Sequence, residues 1–173
     1  MSAPQVEIVV EAPEWEHVPK LEALTARAIA ACGEAVGAEF AEGSEVCVTY
    51  LDDAAIRALN AEWRKIDAPT NVLSFPTPGP AEAKLLLGDI VVAYGTVARE
   101  AQEQERRFED YLVHMIVHGF LHLIGYDHEV PEEAEAMEAL ERRVAASLGL
   151  ADPYEGTQPV AGAGSSGSDV DED

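Results

Sequence analysis

The chain has 173 residues and a formal net charge of −22, with 33 acidic side chains against 11 lysines and arginines. It is long enough for one domain with a real core, but no apolar run approaches the roughly 20 residues that a membrane-spanning helix requires. The composition therefore excludes a membrane-spanning protein, and it leaves only a local basic surface for any contact with nucleic acid.

The first half of the chain predicts strands and helices in alternation. Apolar residues alternate in the strands and recur at helical spacing in the helices, and an aspartate stands where the second helix begins. The predicted elements are a strand at Val6–Val10, a helix at Val18–Val36, a strand at Glu45–Leu51, and a helix capped by Asp52 or Asp53 that carries Ile56, Leu59 and Trp63.

The second half predicts two short extended pieces followed by three helices. In order, these are an extended segment at Asn71–Phe75, a strand at Leu87–Ala93, a polar helix from Thr96 to Arg107, a buried helix at Tyr111–Ile124, and a helix at Pro131–Leu148. The predicted fold class is α+β, with a small mixed β-sheet packed with about five helices.

The N-terminal segment and the cysteines indicate the cellular location, and the C-terminal composition indicates where the domain ends. The N-terminal segment lacks the basic start and long apolar centre of a signal peptide, and Cys32 and Cys47 are isolated, as expected for reduced core thiols. We therefore expect a cytoplasmic protein. Residues 1–155 are expected to form one domain, and residues 156–173 a disordered acidic Gly/Ser tail that buries too little apolar surface to fold.

Four of the five histidines lie in one segment of the buried helix and the turn after it. His118 and His122 are four residues apart, so on a helix they lie on one face with Cβ atoms about 5–6 Å apart. Gly125 accepts the left-handed conformation that ends helices and can turn His128 back toward the pair. Three protein ligands leave a fourth position for water, which is typical of a catalytic zinc. The spacing predicts a zincin-like metal site on a buried central helix.

The same segment has the histidine spacing of metzincin proteases but lacks their general base. Those proteases carry a glutamate directly after the first histidine, and here that position is Gly119. Without that carboxylate, no obvious group takes the proton from an attacking water. The motif therefore indicates a metallohydrolase that acts on something other than peptides.

Other interpretations of these residues are weighed beside the metal site. The histidines could be hydrogen-bonded core residues, although three at ligand spacing favour a metal. His114 could replace one of the three ligands, act as an outer partner or simply pack, and an outer or packing role is favoured because the alternative leaves His128 unexplained. Asp127 could orient a ligand histidine, or it could be an ordinary turn carboxylate.

A second group of polar residues lies between Trp63 and Pro76. Arg64 could cap the end of its helix or pair with a surface acid. In the functional interpretation it faces the metal pocket and clamps a phosphate, because a guanidinium binds phosphate oxygens in a bidentate manner. Lys65, Asn71 and Ser74 are predicted to assist in binding the substrate.

The chain resembles the YbeY family of metal-dependent endoribonucleases, also known as rRNA maturation factors. The residues that carry the resemblance are LNAEWRKIDAPTNVLSFP at 59–76, LGDIVVA at 87–93, HMIVHGFLHLIGYDH at 114–128 and DPY at 152–154. The resemblance implies one zinc-like ion held by His118, His122 and His128, and a functional arginine at Arg64. Three imidazoles suit zinc best, but nickel, copper and iron also accept them. The resemblance also implies cleavage of single-stranded RNA, 16S rRNA 3′-end maturation and ribosome quality control. The acidic tail and the strong negative charge depart from the family pattern.

The negative charge determines what we expect of RNA binding, and the missing base determines what we expect of the nucleophile. With few cations, we expect weak binding to free RNA and affinity gained by docking on the small ribosomal subunit or its proteins. The nucleophile is either water or the 2′-hydroxyl of the RNA. Two rival functions remain in view: a metallohydrolase of another phosphoester or amide, and a non-catalytic ribosome assembly factor with a structural metal.

Overall fold

The predicted alternation of strands and helices is confirmed in a computed structural model that describes residues 3–37 and 39–155. The predicted tail at 156–173 lies outside the described residues. The strands are β1 (Gln5–Val10), β2 (Glu45–Leu51), β3 (Val72–Pro76) and β4 (Leu86–Ala93). The helices are α1 (Leu21–Val36), α2 (Asp53–Arg64), α3 (Tyr94–Glu103), α4 (Phe108–Leu123) and α5 (Pro131–Ser147), with short 3₁₀ turns at Pro13–His17 and Ala81–Ala83.

The four strands form one mixed sheet in the order β1-β2-β4-β3. β1 pairs with β2 and β2 with β4 in parallel, whereas β3 pairs with β4 in antiparallel register and forms one edge of the sheet. This arrangement confirms the predicted α+β class with a small mixed sheet.

Alternation along the strands sends side chains to two separate apolar clusters, one on each face of the sheet. On one face, buried residues of β2 and β4, such as Val48 and Ile90, join the large core that also contains the apolar residues of α4. On the other face, Leu73 and Val91 pack with Ile56 of α2 in a smaller cluster. The large core therefore surrounds α4, while α2 lies on the opposite side of the sheet.

Two helix ends differ from the sequence-based prediction because nearby residues adopt a left-handed backbone conformation. α1 begins at Leu21 rather than Val18, because Lys20 adopts a left-handed conformation with φ 55° directly before it. α3 ends at Glu103 rather than Arg107, and Glu105, with φ 58°, separates it from α4. A non-glycine residue at positive φ interrupts the helical hydrogen bonds, and such conformations are not visible in apolar spacing.

Trp63 is far more exposed than its place among the predicted apolar residues of α2 implies. Although it shares α2 with the buried Ile56, its side chain is 63% exposed and its ring meets the ring of Phe75 edge-on, with centroids 6.2 Å apart. The indole therefore lies largely in solvent at the last turn of α2, with Phe75 of β3 as a ring neighbour.

None of the helices within 3–37 and 39–155 is both long and apolar enough to cross a bilayer.

Candidate metal centre

The last turns of α4 carry the first two predicted metal ligands. His118 and His122 are only partly buried, although the residues around them on α4 belong to the large core. Their ring centroids are 4.8 Å apart, as the spacing of four on a helix predicts. The two imidazole rings therefore lie side by side at the edge of the core, partly exposed to solvent.

The turn after α4 brings the third histidine back to this pair. Gly125 has φ 113°, a conformation that favours glycine, and the amide of Tyr126 donates to the carbonyl of Leu121 at 2.9 Å. The ring of His128 consequently lies with its centroid 5.6 Å from that of His118 and 4.9 Å from that of His122. One ligand nitrogen from each of the three rings lies within 4.8 Å of the others. The structure thus brings the predicted trio together.

Asp127 contributes to the turn through the backbone. Its Oδ1 accepts a hydrogen bond from the amide of His128 at 2.7 Å, a common arrangement for an aspartate in a turn. This contact orients the main chain that carries His128 rather than the imidazole ring itself.

One nitrogen of the three histidines has surroundings that favour a metal ion. Nε2 of His122 is buried and has no hydrogen-bond partner among the described residues. A buried polar nitrogen without a partner is unfavourable, and coordination of a cation would satisfy it. Burial, followed by the charges of His118 and His128, lowers the pKa of His122 to about 4. A neutral imidazole with an available lone pair is the form that binds a metal.

The low pKa of His122 leads to a pH prediction for the metal-free protein. We expect its ring to remain neutral at pH 5.5 in an NMR titration, because the folded pKa is about 4. In the unfolded chain the same group titrates near 6.5. The unfolded state therefore binds more protons in this window, so His122 contributes stability that is lost as pH falls from about 6.5 toward 4. A titration midpoint near 6.5 in the folded protein would contradict this prediction.

A buried glutamate that the sequence analysis missed contacts His118, the first of the predicted ligands. Oε2 of Glu141, on α5, lies 2.6 Å from Nδ1 of His118, and Oε1 accepts a hydrogen bond from the hydroxyl of Tyr154. Burial alone would raise the pKa of Glu141, but His118 and His114 hold that pKa well below its ordinary range. A signal was present in the sequence, since Glu141 follows the buried Met137 by four residues and thus shares its inward face.

His114 lies beside the trio and not within it. Nδ1 of its ring lies 3.2 Å from a guanidinium nitrogen of Arg106, which can only donate, so the proton of a neutral His114 is on Nε2. That Nε2 is 3.7 Å from Oε2 of Glu141. Burial is the main cause that lowers the pKa of His114. This geometry places His114 as a neighbour of the carboxylate that contacts His118.

The position that is glutamate in the proteases faces the sheet. A Cβ added to Gly119 would lie 3.0 Å from methyl groups of both Val72 and Ile90, and 3.3 Å from the hydroxyl oxygen of Ser74. The hydroxyl of Ser74 donates to the carbonyl of Gly119 at 2.7 Å. The absence of a side chain at 119 lets α4 approach β3 and β4 closely, and a carboxylate there would crowd the sheet.

Two residues predicted to bind substrate have polar partners inside the fold. Ser74 bonds to α4 as described, while the amide of Asn71 donates to Glu100 at 2.8 Å and its Oδ1 accepts from the amide of Val72 at 2.6 Å. Glu100 also accepts a hydrogen bond from the hydroxyl of Tyr111 at 2.6 Å. These contacts fix β3 against α3 and α4.

Arg64 and Lys65 lie at the C-terminal end of α2. Arg64 is its last residue and partial burial lowers the pKa of its guanidinium; Lys65 follows in a left-handed conformation with φ 63°. The ammonium of Lys65 donates to the carbonyl of Glu62 at 3.1 Å. The contact of Trp63 with Phe75 places this end of α2 beside β3, which pairs with β4 and also contacts α4. The two cations thus directly follow a residue that contacts β3, the strand that packs against α4. That Arg64 faces the metal pocket remains a prediction.

Comparisons with known proteins agree on one family. Residues 10–149 match the model of the family described as Endoribonuclease YbeY. A protein of Bradyrhizobium diazoefficiens with that name is 51% identical over 157 residues, which cover 87% of this chain and 85% of the relative. One of Methylocella silvestris is 49% identical and covers 91% and 89%. The solution structure of TM1509 from Thermotoga maritima superposes with a TM-score of 0.54 at 28% identity, covering 91% of this chain and 99% of that protein.

Proposed function

The chain belongs to the YbeY family of endoribonucleases, and from this membership we propose that it cleaves single-stranded RNA with one metal ion held by His118, His122 and His128. The observation that carries the proposal is the convergence of three ligand nitrogens within 4.8 Å. The buried and unpartnered Nε2 of His122 supports it further. Three imidazoles suit Zn²⁺ best, and Ni²⁺ accepts the same ligands.

The residues of the proposed site differ in what they contribute to cleavage. When bound, an ion of this kind polarises a phosphoryl oxygen and lowers the pKa of water toward about 7. His118, His122 and His128 hold it while leaving one side open to solvent, because His128 is exposed. Arg64 stabilises the negative charge that gathers on the phosphate during cleavage. Gly119 offers no base, so the attacking group, water or the RNA 2′-hydroxyl, loses its proton to another acceptor.

We propose that binding to free RNA is weak and that affinity comes from docking on the ribosome. The net charge of −22 repels a polyanion, and Arg64 with Lys65 offers only a local pair of cations. This agrees with an in-cell role in 16S rRNA 3′-end maturation and ribosome quality control, with the small subunit or its proteins as partners in the cytoplasm. Tight binding of naked single strands at physiological salt would contradict this part of the proposal.

Substitution of Arg64 tests the reaction without touching the metal ligands. We expect Arg64→Ala to lower the rate of cleavage of a single-stranded RNA oligonucleotide by about 100-fold, the usual scale for one group that stabilises transition-state charge. Zinc content by elemental analysis and the melting temperature should stay unchanged. Cleavage at the rate of the unaltered protein would remove Arg64 from the mechanism.

Arg57→Ala is the matched control for this experiment. Arg57 lies on the same helix, carries the same charge and forms an exposed ion pair with Asp67 at 2.7 Å. Exposed pairs contribute only about 0–1 kcal/mol to stability. We therefore expect the control to retain its cleavage rate, so a loss specific to Arg64 reflects position and not net charge.

A structural metal and a catalytic metal predict different outcomes when the ion is removed. A structural ion contributes directly to folding, so stripping it should lower the melting temperature sharply. A catalytic ion should mainly determine turnover. A non-RNA substrate is tested with the metal-loaded protein, which should then hydrolyse a small phosphoester while leaving single-stranded RNA intact.

A further inference from the structure

Glu141 is a charged side chain placed where an apolar one would be expected. Its side chain is 1% exposed, and its neighbours on the inward face of α5 include the buried Met137 and Val144. A carboxylate buried in this way seldom adds net stability over a well-packed apolar residue. A role beyond stability is therefore indicated for this carboxylate.

We propose that Glu141 is a positioning residue that holds His118 in the tautomer and orientation required for metal binding, and that Tyr154 holds Glu141 in turn. This inference rests on the proposed metal site. It extends that site to α5 and to the segment after it, which lie outside the histidine motif.

The hydrogen bond to His118 carries the first step. An ionised carboxylate can only accept, so the 2.6 Å contact requires the proton of His118 to be on Nδ1. The lone pair of a neutral ring then lies on Nε2, which is available to a cation. Metal-binding histidines commonly donate their second nitrogen to a carboxylate, and loss of that partner typically lowers metal affinity by about 10–100-fold.

Contacts on the far side of Glu141 carry the second step. The hydroxyl of Tyr154 donates to Oε1, so the two carboxylate oxygens have different partners and the group is held at both ends. The ring of Tyr154 also lies edge-on to His114, with centroids 5.6 Å apart, and under the guanidinium of Arg142 at 5.2 Å. Tyr154 thus ties the segment that follows α5 to the carboxylate behind His118.

The decisive experiment measures zinc affinity in place of catalysis. In competition with a chelator, Glu141→Gln should bind Zn²⁺ about 10–100-fold more weakly than the unaltered protein. Tyr154→Phe should shift affinity in the same direction by less. Glu135→Gln is the matched control, since it removes the same charge from an exposed position of α5, and its affinity should not change.

A second measurement covers the case in which Glu141→Gln does not fold. In the metal-free, unaltered protein, ¹⁵N NMR of the imidazoles should show the proton of His118 on Nδ1. A proton on Nε2 overturns the inference, and so does a folded Glu141→Gln with affinity within about twofold of the unaltered protein. If the unaltered protein binds no zinc at all, the proposed metal site itself fails, which is a distinguishable result.

Discussion

His122→Ala is expected to abolish both zinc binding and RNA cleavage while leaving the fold intact. The affinity for zinc should fall by more than the roughly 100-fold that loss of an outer partner can cause, because a direct ligand is removed. Cleavage of single-stranded RNA should then drop to the background seen with chelator. The measurements are zinc content after dialysis and the initial rate of cleavage.

The expected integrity of the fold follows from the surroundings of His122. Its Nε2 has no hydrogen-bond partner among the described residues, so truncation breaks no bond that the protein itself makes there. The metal-free variant should therefore unfold at a denaturant midpoint close to that of the metal-free parent. His17→Ala is the control: it removes an exposed histidine in the 3₁₀ turn at Pro13–His17 and should change neither property. Full cleavage by His122→Ala would remove this residue from the site.

Gly119→Glu is expected to destabilise the protein strongly and to create no peptidase. An added Cβ would already lie 3.0 Å from methyl groups of Val72 and Ile90, and extra atoms in a packed core usually cost about 1–3 kcal/mol. The carboxylate would then be buried without a partner, which adds a further few kcal/mol. We expect a loss of at least about 3 kcal/mol in the free energy of unfolding, measured by urea denaturation.

Two alanine variants separate crowding from charge at this position. Gly119→Ala adds only the crowding, partly offset by the gain of about 1 kcal/mol in helix propensity. Gly33→Ala is the matched control, since among the described residues this helical glycine faces one side-chain atom, a ring carbon of Phe40 at 3.3 Å. We expect the order of stability to be Gly33→Ala, then Gly119→Ala, then Gly119→Glu. A glutamate variant as stable as the parent would show that the position has room for a base.

Much of the fold and of the metal trio follows from local patterns. Apolar spacing predicted the elements because each strand and helix buries one face, and the clusters on the two sides of the sheet confirm that patterning. The histidines were predictable because helical geometry relates His118 to His122, and Gly125 marks the turn that precedes His128.

What the sequence could not supply depends on contacts between distant segments. Spacing from Met137 places Glu141 on the inward face of α5, but no local pattern shows that this face meets His118, 23 residues away. The exposure of Trp63 depends on how far the sheet extends beneath α2, which no local pattern encodes. The left-handed Lys20 shortens α1 although lysine rarely adopts that conformation.

Zinc titration of RNA cleavage tests the central claim most directly. Protein stripped with chelator is mixed with increasing Zn²⁺, and the initial rate of cleavage of a single-stranded RNA oligonucleotide is recorded. The account predicts no cleavage without metal and a rate that rises linearly until one ion per chain is bound, then levels off. Undiminished cleavage by the stripped protein would contradict it.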